Sequence, residues 1–272
     1  MEYIIGTLRY VFKNFIFLFA FSLLPSYFFA FSLDYSALEK MADIILSGRA
    51  QISFGLVFSC FSFINSSGWA FTLVAFIFAV ICLPMLFAFI EKHMRLGIRS
   101  YKGLLGRINY NFVSSFVLLA LLLAIYELWA LIASAMIFAA SLLFGGIAQY
   151  VICILIAAAM MFLLIFVLYR FLLWLPCLQV MGYSFMDSLL YANQLCSEKK
   201  GKIFVSVFLP YIFCVVLVLV TVGLCSVYRV TIPVFVLIEL IYLFGFLYYS
   251  VLMYVVYFER TGELREDLKK KF

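Results

Sequence analysis

Long apolar runs with almost no charged residues recur along this 272-residue chain. A helix that crosses the roughly 30 Å hydrocarbon core of a bilayer needs about 17–25 such residues. A soluble domain has about 25% charged residues, whereas this chain has 12% charged and 68% hydrophobic residues. We therefore expect an all-α protein that crosses a membrane several times.

Six of these runs are long enough to span a membrane. They cover about 14–32, 69–90, 112–134, 147–169, 203–227 and 232–257. The first run follows Arg9 and Lys13 and so imitates a signal peptide, but it is long and bulky and no A-x-A cleavage site follows it. We interpret it as an uncleaved first span.

Basic residues are concentrated on one side of these six spans. If both termini are cytoplasmic, sixteen Lys and Arg residues lie in inner segments, and only Lys40, Arg49 and Arg229 lie in outer ones. Lys and Arg are enriched in the cytoplasmic loops of membrane proteins, so this bias predicts that the N and C termini are both inside. The net charge of +6 comes largely from these flanking residues, which argues against a nucleic-acid partner.

Three short amphipathic segments precede membrane hairpins on the predicted inner side. They are residues 2–13, 94–108 and 183–198, in which polar residues recur every three or four positions. In the third segment the polar stripe starts at Ser184 and Asp187, opposite Phe185 and Leu189. Each segment is expected to form an interfacial helix in the headgroup plane, so the six spans form three hairpins with one such helix before each.

The combination of interfacial helix and hairpin predicts an internal repeat. The segments "GTLRYVFKNF" (6–15) and "GLLGRINYNF" (103–112) align without a gap and share Gly, Leu, Asn and Phe at matching places. The approximate repeats cover 1–92, 93–170 and 181–258. Together they predict a single membrane domain, 1–258, followed by a charged cytoplasmic tail, 259–272.

The first hairpin carries a long extracytoplasmic insertion, residues 33–68. Its segment "ISFGLVFSCFSFI" (52–64) is apolar but too short to span a membrane. We expect the stretch 50–64 to be either re-entrant or interfacial.

Glu239 is the most informative polar side chain, because it lies about seven residues, or roughly 10 Å, inside the sixth span. An acid within the bilayer costs about 2.5–3.5 kcal/mol. Tyr242 and Tyr249 continue its helical stripe and could offer neutral hydrogen-bond partners. The acid is either a proton-linked or cation-contacting site, or a protonated group that fixes packing. On the outer side, Glu127 could pair with Arg229, or it could extend to water.

A second group of candidate residues is basic and lies beside the spans. Its members are Arg95, Arg99, Lys102, Lys199, Lys200 and Lys202. A basic residue near an anionic membrane surface contributes about 1 kcal/mol of attraction, so we expect these side chains to contact lipid headgroups. Alternatively, these residues only determine the orientation of the protein in the membrane. One residue can also do both.

Residues suited to soluble-type catalysis are scarce. The chain has one histidine, His93, and shows no Gly-rich phosphate loop, Ser/His/Asp set or zinc signature. The seven cysteines contain no CxxC pair and lie mostly in apolar runs, so we expect small buried hydrophobes. We expect a protein that is not an enzyme and binds no cofactor or metal, with His93 facing solvent or headgroups.

One stretch resembles a known bacterial family. "WLPCLQVMGYSFMDSLLYANQLCSEKKGKIF" (174–204) contains Leu-Pro, a Gly, a small residue, an acidic-small-Leu core and a basic end. This pattern is similar to that of the six-helix membrane domain fused to some glycerophosphodiester phosphodiesterases, and of its free-standing YciC-like relatives. The resemblance implies a six-span layout and a lipid- or envelope-related setting, and it carries over no catalytic residue.

Two functions remain open from the sequence. The first is a non-enzymatic integral protein of a bacterial cytoplasmic membrane, acting as a scaffold or accessory in envelope or lipid biology. Its partners would be lipids with anionic headgroups on the cytoplasmic side, with a membrane-protein partner also open. The alternative is a small transporter or permease component with a polar path near Glu239, since transporters often contain internal repeats.

Overall fold

The computed structural model describes residues 2–47, 52–197, 199–228 and 232–262. Within these ranges the backbone forms ten helices and no strand. The helices are α1 (Glu2–Phe31), α2 (Tyr35–Ser47), α3 (Phe54–Phe61), α4 (Trp69–Leu96), α5 (Leu104–Leu143), α6 (Gly146–Phe171), α7 (Trp174–Met181), α8 (Phe185–Ser197), α9 (Lys200–Tyr228) and α10 (Ile232–Thr261). The all-α prediction is confirmed for this part of the chain.

Six helical segments are long and apolar enough to cross a membrane, as the sequence predicts. They correspond to α1, α4, α5, α9 and α10, together with a fourth segment in which α6 continues into α7. This fourth segment is interrupted by a turn at residues 172–173. Helix α7 starts directly after the turn, and Pro176 is its third residue. Six such segments are typical of a multi-pass membrane protein.

The core lies where α1 packs between α10 and α4. Leu86, Phe87 and Phe89 of α4 are completely buried there, as are Tyr254 and Phe258 of α10. Between membrane helices, lipid tails are as apolar as the side chains, so association depends on close packing and interhelical hydrogen bonds. We therefore expect the stability of this core to depend on close packing and on hydrogen bonds between helices, and less on the amount of apolar area that is buried.

The start of α1 and the end of α10 lie at one end of the bundle, which we call the basic end. Tyr3 donates a hydrogen bond to Glu259 at 3.1 Å, and Lys199 forms an ion pair with the same carboxylate at 2.9 Å. Lys202 pairs with Glu2 at 3.1 Å. The starts of α1 and α9 and the end of α10 are therefore held together at the basic end.

The three predicted amphipathic helices have different outcomes. Segment 2–13 belongs to α1, which is kinked at Asn14 (φ −118°, ψ 15°). Segment 183–198 contains a separate helix, α8, and buries Ala192 and Cys196 on its apolar face. Only this third segment forms a helix of its own.

The prediction of one helix over 94–108 is wrong at its centre. Helix α4 ends at Leu96, and residues 97–103 form a connection before α5 starts at Leu104. Gly97 (φ 72°), which ends α4, and Gly103 (φ 82°), which precedes α5, both have left-handed backbone conformations. Glycine adopts this conformation without a steric penalty, and it interrupts a right-handed helix. The side-chain pattern is helical, but the two glycines prevent a continuous helix.

The internal repeat stays a prediction. Gly97 and Gly182, which the repeat aligns, both end helices in the left-handed conformation (φ 72° and 66°). The two copies differ after this glycine. Residues 97–103 form a non-helical connection, whereas α8 begins three residues after Gly182. The two copies share a helix terminus but not the structure that follows it.

The insertion 33–68 contains α2 and α3 at the end of the bundle opposite the basic end. Helix α3 packs against α5, and its Val57 lies in a buried cluster with Ile137 and Cys153. Helix α5 has 40 residues and is therefore about 60 Å long, much longer than a bilayer core requires. Its last turns give α3 a surface to pack on. Whether the segment 50–64 is re-entrant or interfacial stays open.

Candidate functional site

Glu239 lies two turns into α10, and its side chain is half-buried. One turn earlier, Phe235 packs against Tyr35 of α2, with ring centroids 4.4 Å apart. The hydroxyl of Tyr35 donates to the carbonyl of Ala30 at 3.0 Å. Burial and, secondly, the nearby Glu239 charge raise the pKa of Tyr35 well above its usual range. The acid therefore sits beside an aromatic group at the junction of α10, α1 and α2.

The two tyrosines predicted to accompany Glu239 have other contacts. Tyr249 donates its hydroxyl to the carbonyl of Val207 in α9 at 2.9 Å, and Tyr242 packs near the Phe63 ring at 6.4 Å. Among the described residues, none donates a hydrogen bond to the Glu239 carboxylate. Tyr242 thus lies on the same face of α10 as Glu239, whereas the hydroxyl of Tyr249 bonds to α9.

Glu127 fastens the insertion to α5. Its carboxylate accepts hydrogen bonds from Ser62 Oγ at 2.6 Å and from the backbone N–H of Phe63 at 2.9 Å. The neighbouring Tyr126 donates to the carbonyl of Phe61 at 2.7 Å. These bonds satisfy backbone groups just after α3, so Glu127 has a structural partner in the insertion. Arg229, its predicted partner, lies outside the described residues.

The six basic candidate residues divide into two groups at the basic end. Four have protein partners: Arg95 pairs with Glu91, Lys199 with Glu259, Lys202 with Glu2, and Arg99 donates to His93. The other two, Lys102 and Lys200, are exposed. No described residue pairs with the ammonium group of either lysine. Within the first group, Lys199 and Lys202 link the start of α9 to α10 and α1, whereas Arg95 pairs within α4 and Arg99 bonds to the end of α4. The second group is available for an external anion.

His93 is buried, with 8% of its surface exposed, so the prediction that it faces solvent or headgroups is wrong. It lies in the last turn of α4, near the Tyr10 ring of α1 at 5.4 Å between centroids and near the Phe89 ring at 6.3 Å. Tyr10 Oη lies 2.9 Å from His93 Nδ1. The basic residues next to His93 in the sequence suggested an exposed position. Its burial depends on contacts with α1, which a local sequence pattern does not show.

A second buried polar group was also missed by the sequence reasoning. Gln179 of α7 donates to Ser115 Oγ of α5 at 3.1 Å and accepts from the Tyr254 hydroxyl of α10 at 3.3 Å. It thereby links three helices within the core. The one signal in the sequence is a glutamine within the apolar run that follows Trp174, in the segment that carries the family resemblance.

The buried cysteines are poorly suited to chemistry. Cys177 and Cys196 lie in the main core. Burial raises the pKa of the Cys196 thiol to about 11, although Arg170 and Arg260 act in the opposite direction. Because the thiolate is the reactive form, Cys196 is expected to be a small buried hydrophobe, as the sequence predicts.

Comparison with known proteins finds no matching family model, no matching curated protein and no matching solved structure. The resemblance of residues 174–204 to the glycerophosphodiesterase-associated membrane domain therefore stays a prediction.

Proposed function

We propose that the protein is a non-enzymatic scaffold or accessory protein of a bacterial cytoplasmic membrane, acting in envelope or lipid biology. It would bind anionic lipid headgroups through its basic end, which we assign to the cytoplasmic side. The observation that carries this proposal is the division of the basic residues. Lys102 and Lys200 remain exposed while neighbouring cations are paired within the protein.

The paired residues favour a fixed platform for the exposed ones. Lys199 and Lys202 tie α9 to the end of α10 and the start of α1. Lys200 lies between them in sequence, at the first residue of α9. Lys102 is also anchored locally, because its carbonyl accepts a hydrogen bond from Lys92 Nζ at 3.1 Å. Both exposed ammonium groups thus project from a backbone whose position is set by neighbouring contacts.

The packing of the core argues for a scaffold over transport. Leu86, Phe89, Tyr254 and Phe258 are completely buried where α1, α4 and α10 meet. A polar path that ran from Glu239 along α10 to the basic end would meet this region. In this conformation, large aromatic and aliphatic side chains fill it.

A small transporter or permease component is the second candidate, and Glu239 favours it. This half-buried acid lies within a spanning helix without a hydrogen-bond donor among the described residues. Acids in such positions often belong to ion or proton pathways. Loss of a cellular activity in an abundant and heat-stable Glu239→Gln variant would favour transport.

The lipid proposal can be tested with spin-labelled lipids in reconstituted membranes. Electron paramagnetic resonance measures the protein-bound fraction of spin-labelled phosphatidylglycerol relative to phosphatidylcholine. Removing one lysine is expected to lower the relative association constant by up to about fivefold, since each contributes about 1 kcal/mol. The Lys102→Gln/Lys200→Gln variant should therefore lose most of the preference for phosphatidylglycerol, and high salt should weaken the preference in the parent.

A charge-matched control removes two basic residues from the opposite predicted side. Lys40→Gln/Arg49→Gln lowers the net charge by the same amount but leaves the basic end intact. The proposal requires this variant to keep the parental preference. Equal losses in both variants, or no preference in the parent, would contradict a headgroup site at Lys102 and Lys200.

A further inference from the structure

Arg99 is held against the protein by a histidine. The connection 97–103 folds back so that Arg99 Nε donates to His93 Nε2 at 3.3 Å. The opposite ring nitrogen, Nδ1, lies 2.9 Å from Tyr10 Oη. His93 therefore joins α4 to α1 on one side of its ring and to the connection on the other.

The chemistry of these partners fixes the protonation state of the ring. A guanidinium group can only donate hydrogen bonds, so Nε2 must carry a free lone pair to accept from Arg99. In a neutral imidazole the proton is then on Nδ1, which donates to Tyr10 Oη. A doubly protonated ring cannot form the bond to Arg99, and it would place two positive charges next to each other.

Other contacts hold the remainder of the connection. Tyr101 packs against Phe17 and Phe89, with centroid distances of 5.7 and 5.9 Å, and its hydroxyl donates to the carbonyl of Phe17 at 3.4 Å. Lys92 Nζ binds the carbonyl of Lys102. Loss of the bond between Arg99 and His93 would therefore free the segment from Gly97 to Ser100 while Tyr101 stays anchored.

We propose that His93 is a proton-sensitive latch that holds Arg99 against the protein when neutral and releases it to anionic lipid headgroups when protonated. This inference rests on the proposed function, because it adds a regulated third cation to the site formed by Lys102 and Lys200. Arg99 is already exposed at the basic end, so its release requires no opening of the core.

The direction of the pH dependence follows from the proton count. The latched state binds one proton fewer than the released state, so it is favoured at high pH and lost as pH falls. Burial of the ring and the neighbouring Arg99 guanidinium both oppose a positive charge on the imidazole, so the latched state is the one present at neutral pH and release belongs to the acidic range. The titratable and charged side chains that contact the ring in the printed geometry include Tyr10 of α1 and Arg99 of the connection. Glu91, Lys92 and Arg95 are neighbours of His93 on α4, and Tyr101 and Lys102 follow Arg99 in the connection.

The first test measures the connection itself. A spin label on a cysteine at position 98, in a background without native cysteines, is followed from pH 8 to pH 5 in phosphatidylcholine nanodiscs. Label mobility is expected to rise as pH falls in the parent but to stay constant in His93→Gln, whose amide remains neutral. Arg99→Gln should be mobile at every pH. A parental label without a pH response, or the same response in His93→Gln, would overturn the latch.

The second test links the latch to lipid. The preference for spin-labelled phosphatidylglycerol over phosphatidylcholine should rise up to about fivefold in the parent between pH 7.5 and 5, and it should stay flat in both His93→Gln and Arg99→Gln. A preference that is strong but equally pH-dependent in His93→Gln would overturn the coupling. If the parental label is released at low pH but phosphatidylglycerol is not preferred at any pH, the proposed function fails and the latch stands.

Discussion

Substituting Gly68 by alanine would test the closest approach between the insertion and the bundle. Gly68 immediately precedes α4 and lies against the backbone of Ser32 at the end of α1. An added Cβ would lie 2.7 Å from the Ser32 carbonyl carbon and 2.9 Å from its Cα, and closer still to its carbonyl oxygen. Ordinary contacts between carbon atoms lie near 3.5–4.0 Å, so the two backbones would have to separate by about 1 Å.

That separation would also disrupt the hydrogen bonds made by Asn65. Its Nδ2 donates to the carbonyl of Ser32 at 2.9 Å, and its Oδ1 accepts from the N–H of Gly68 at 2.5 Å. Overpacking costs about 1–3 kcal/mol, and one weakened hydrogen bond adds about 0.5–1.5 kcal/mol. We therefore expect Gly68→Ala to lower the free energy of unfolding by about 2–4 kcal/mol.

The assay is thermal unfolding of the purified protein in detergent. A loss of 2–4 kcal/mol corresponds to a midpoint about 5–15 °C lower for a chain of this size. Gly55→Ala is the matched control, because no atom lies within 4 Å of a Cβ at that position in α3. It should leave the midpoint unchanged or raise it slightly. If Gly68→Ala proved as stable as Gly55→Ala, the approach of Ser32 to Gly68 would be refuted.

Three further predictions concern Glu239, Tyr248 and Cys196. Glu239→Gln and Glu239→Leu should unfold within about 2 °C of the parent, because no described donor binds the acid; a markedly less stable leucine variant would reveal a hydrogen bond. Tyr248→Phe should lower stability by about 0.6–2 kcal/mol in the same assay, because its hydroxyl donates to the carbonyl of Ser206 at 2.9 Å; an unchanged midpoint would contradict that bond. Cys196 should react with maleimide about a hundredfold more slowly than an ordinary thiol at pH 8, because burial raises its pKa to about 11; a rate equal to that of an exposed cysteine would contradict its burial.

The six spans could be predicted because their physical signal is local. A long run without charge needs no information about its neighbours, and α4, α9 and α10 each contain the predicted run with extra turns at one or both ends. The partners of Glu127 could not be predicted in the same way. Its position in the third span was clear, but its partners, Ser62 and Phe63, are more than 60 residues away in sequence.

Backbone conformation and burial account for the predictions that were wrong. The stretch 94–108 has helical side-chain periodicity. This periodicity does not indicate that Gly97 and Gly103 adopt positive φ. His93 is surrounded by basic residues in sequence, yet Tyr10 and Phe89 cover its ring. A tertiary contact with α1 decides its environment, so only the folded structure reveals the bond from Arg99.

The most direct test of the account is the side of the membrane on which the basic end lies. Single cysteines at positions 40, 102 and 200, in a background without native cysteines, are exposed to an impermeant thiol reagent in intact cells. The bias of sixteen basic residues to three predicts labelling at 40, and labelling at 102 and 200 only after the membrane is permeabilised. Labelling of 102 and 200 but not 40 in intact cells would place the basic end outside and contradict the cytoplasmic headgroup site.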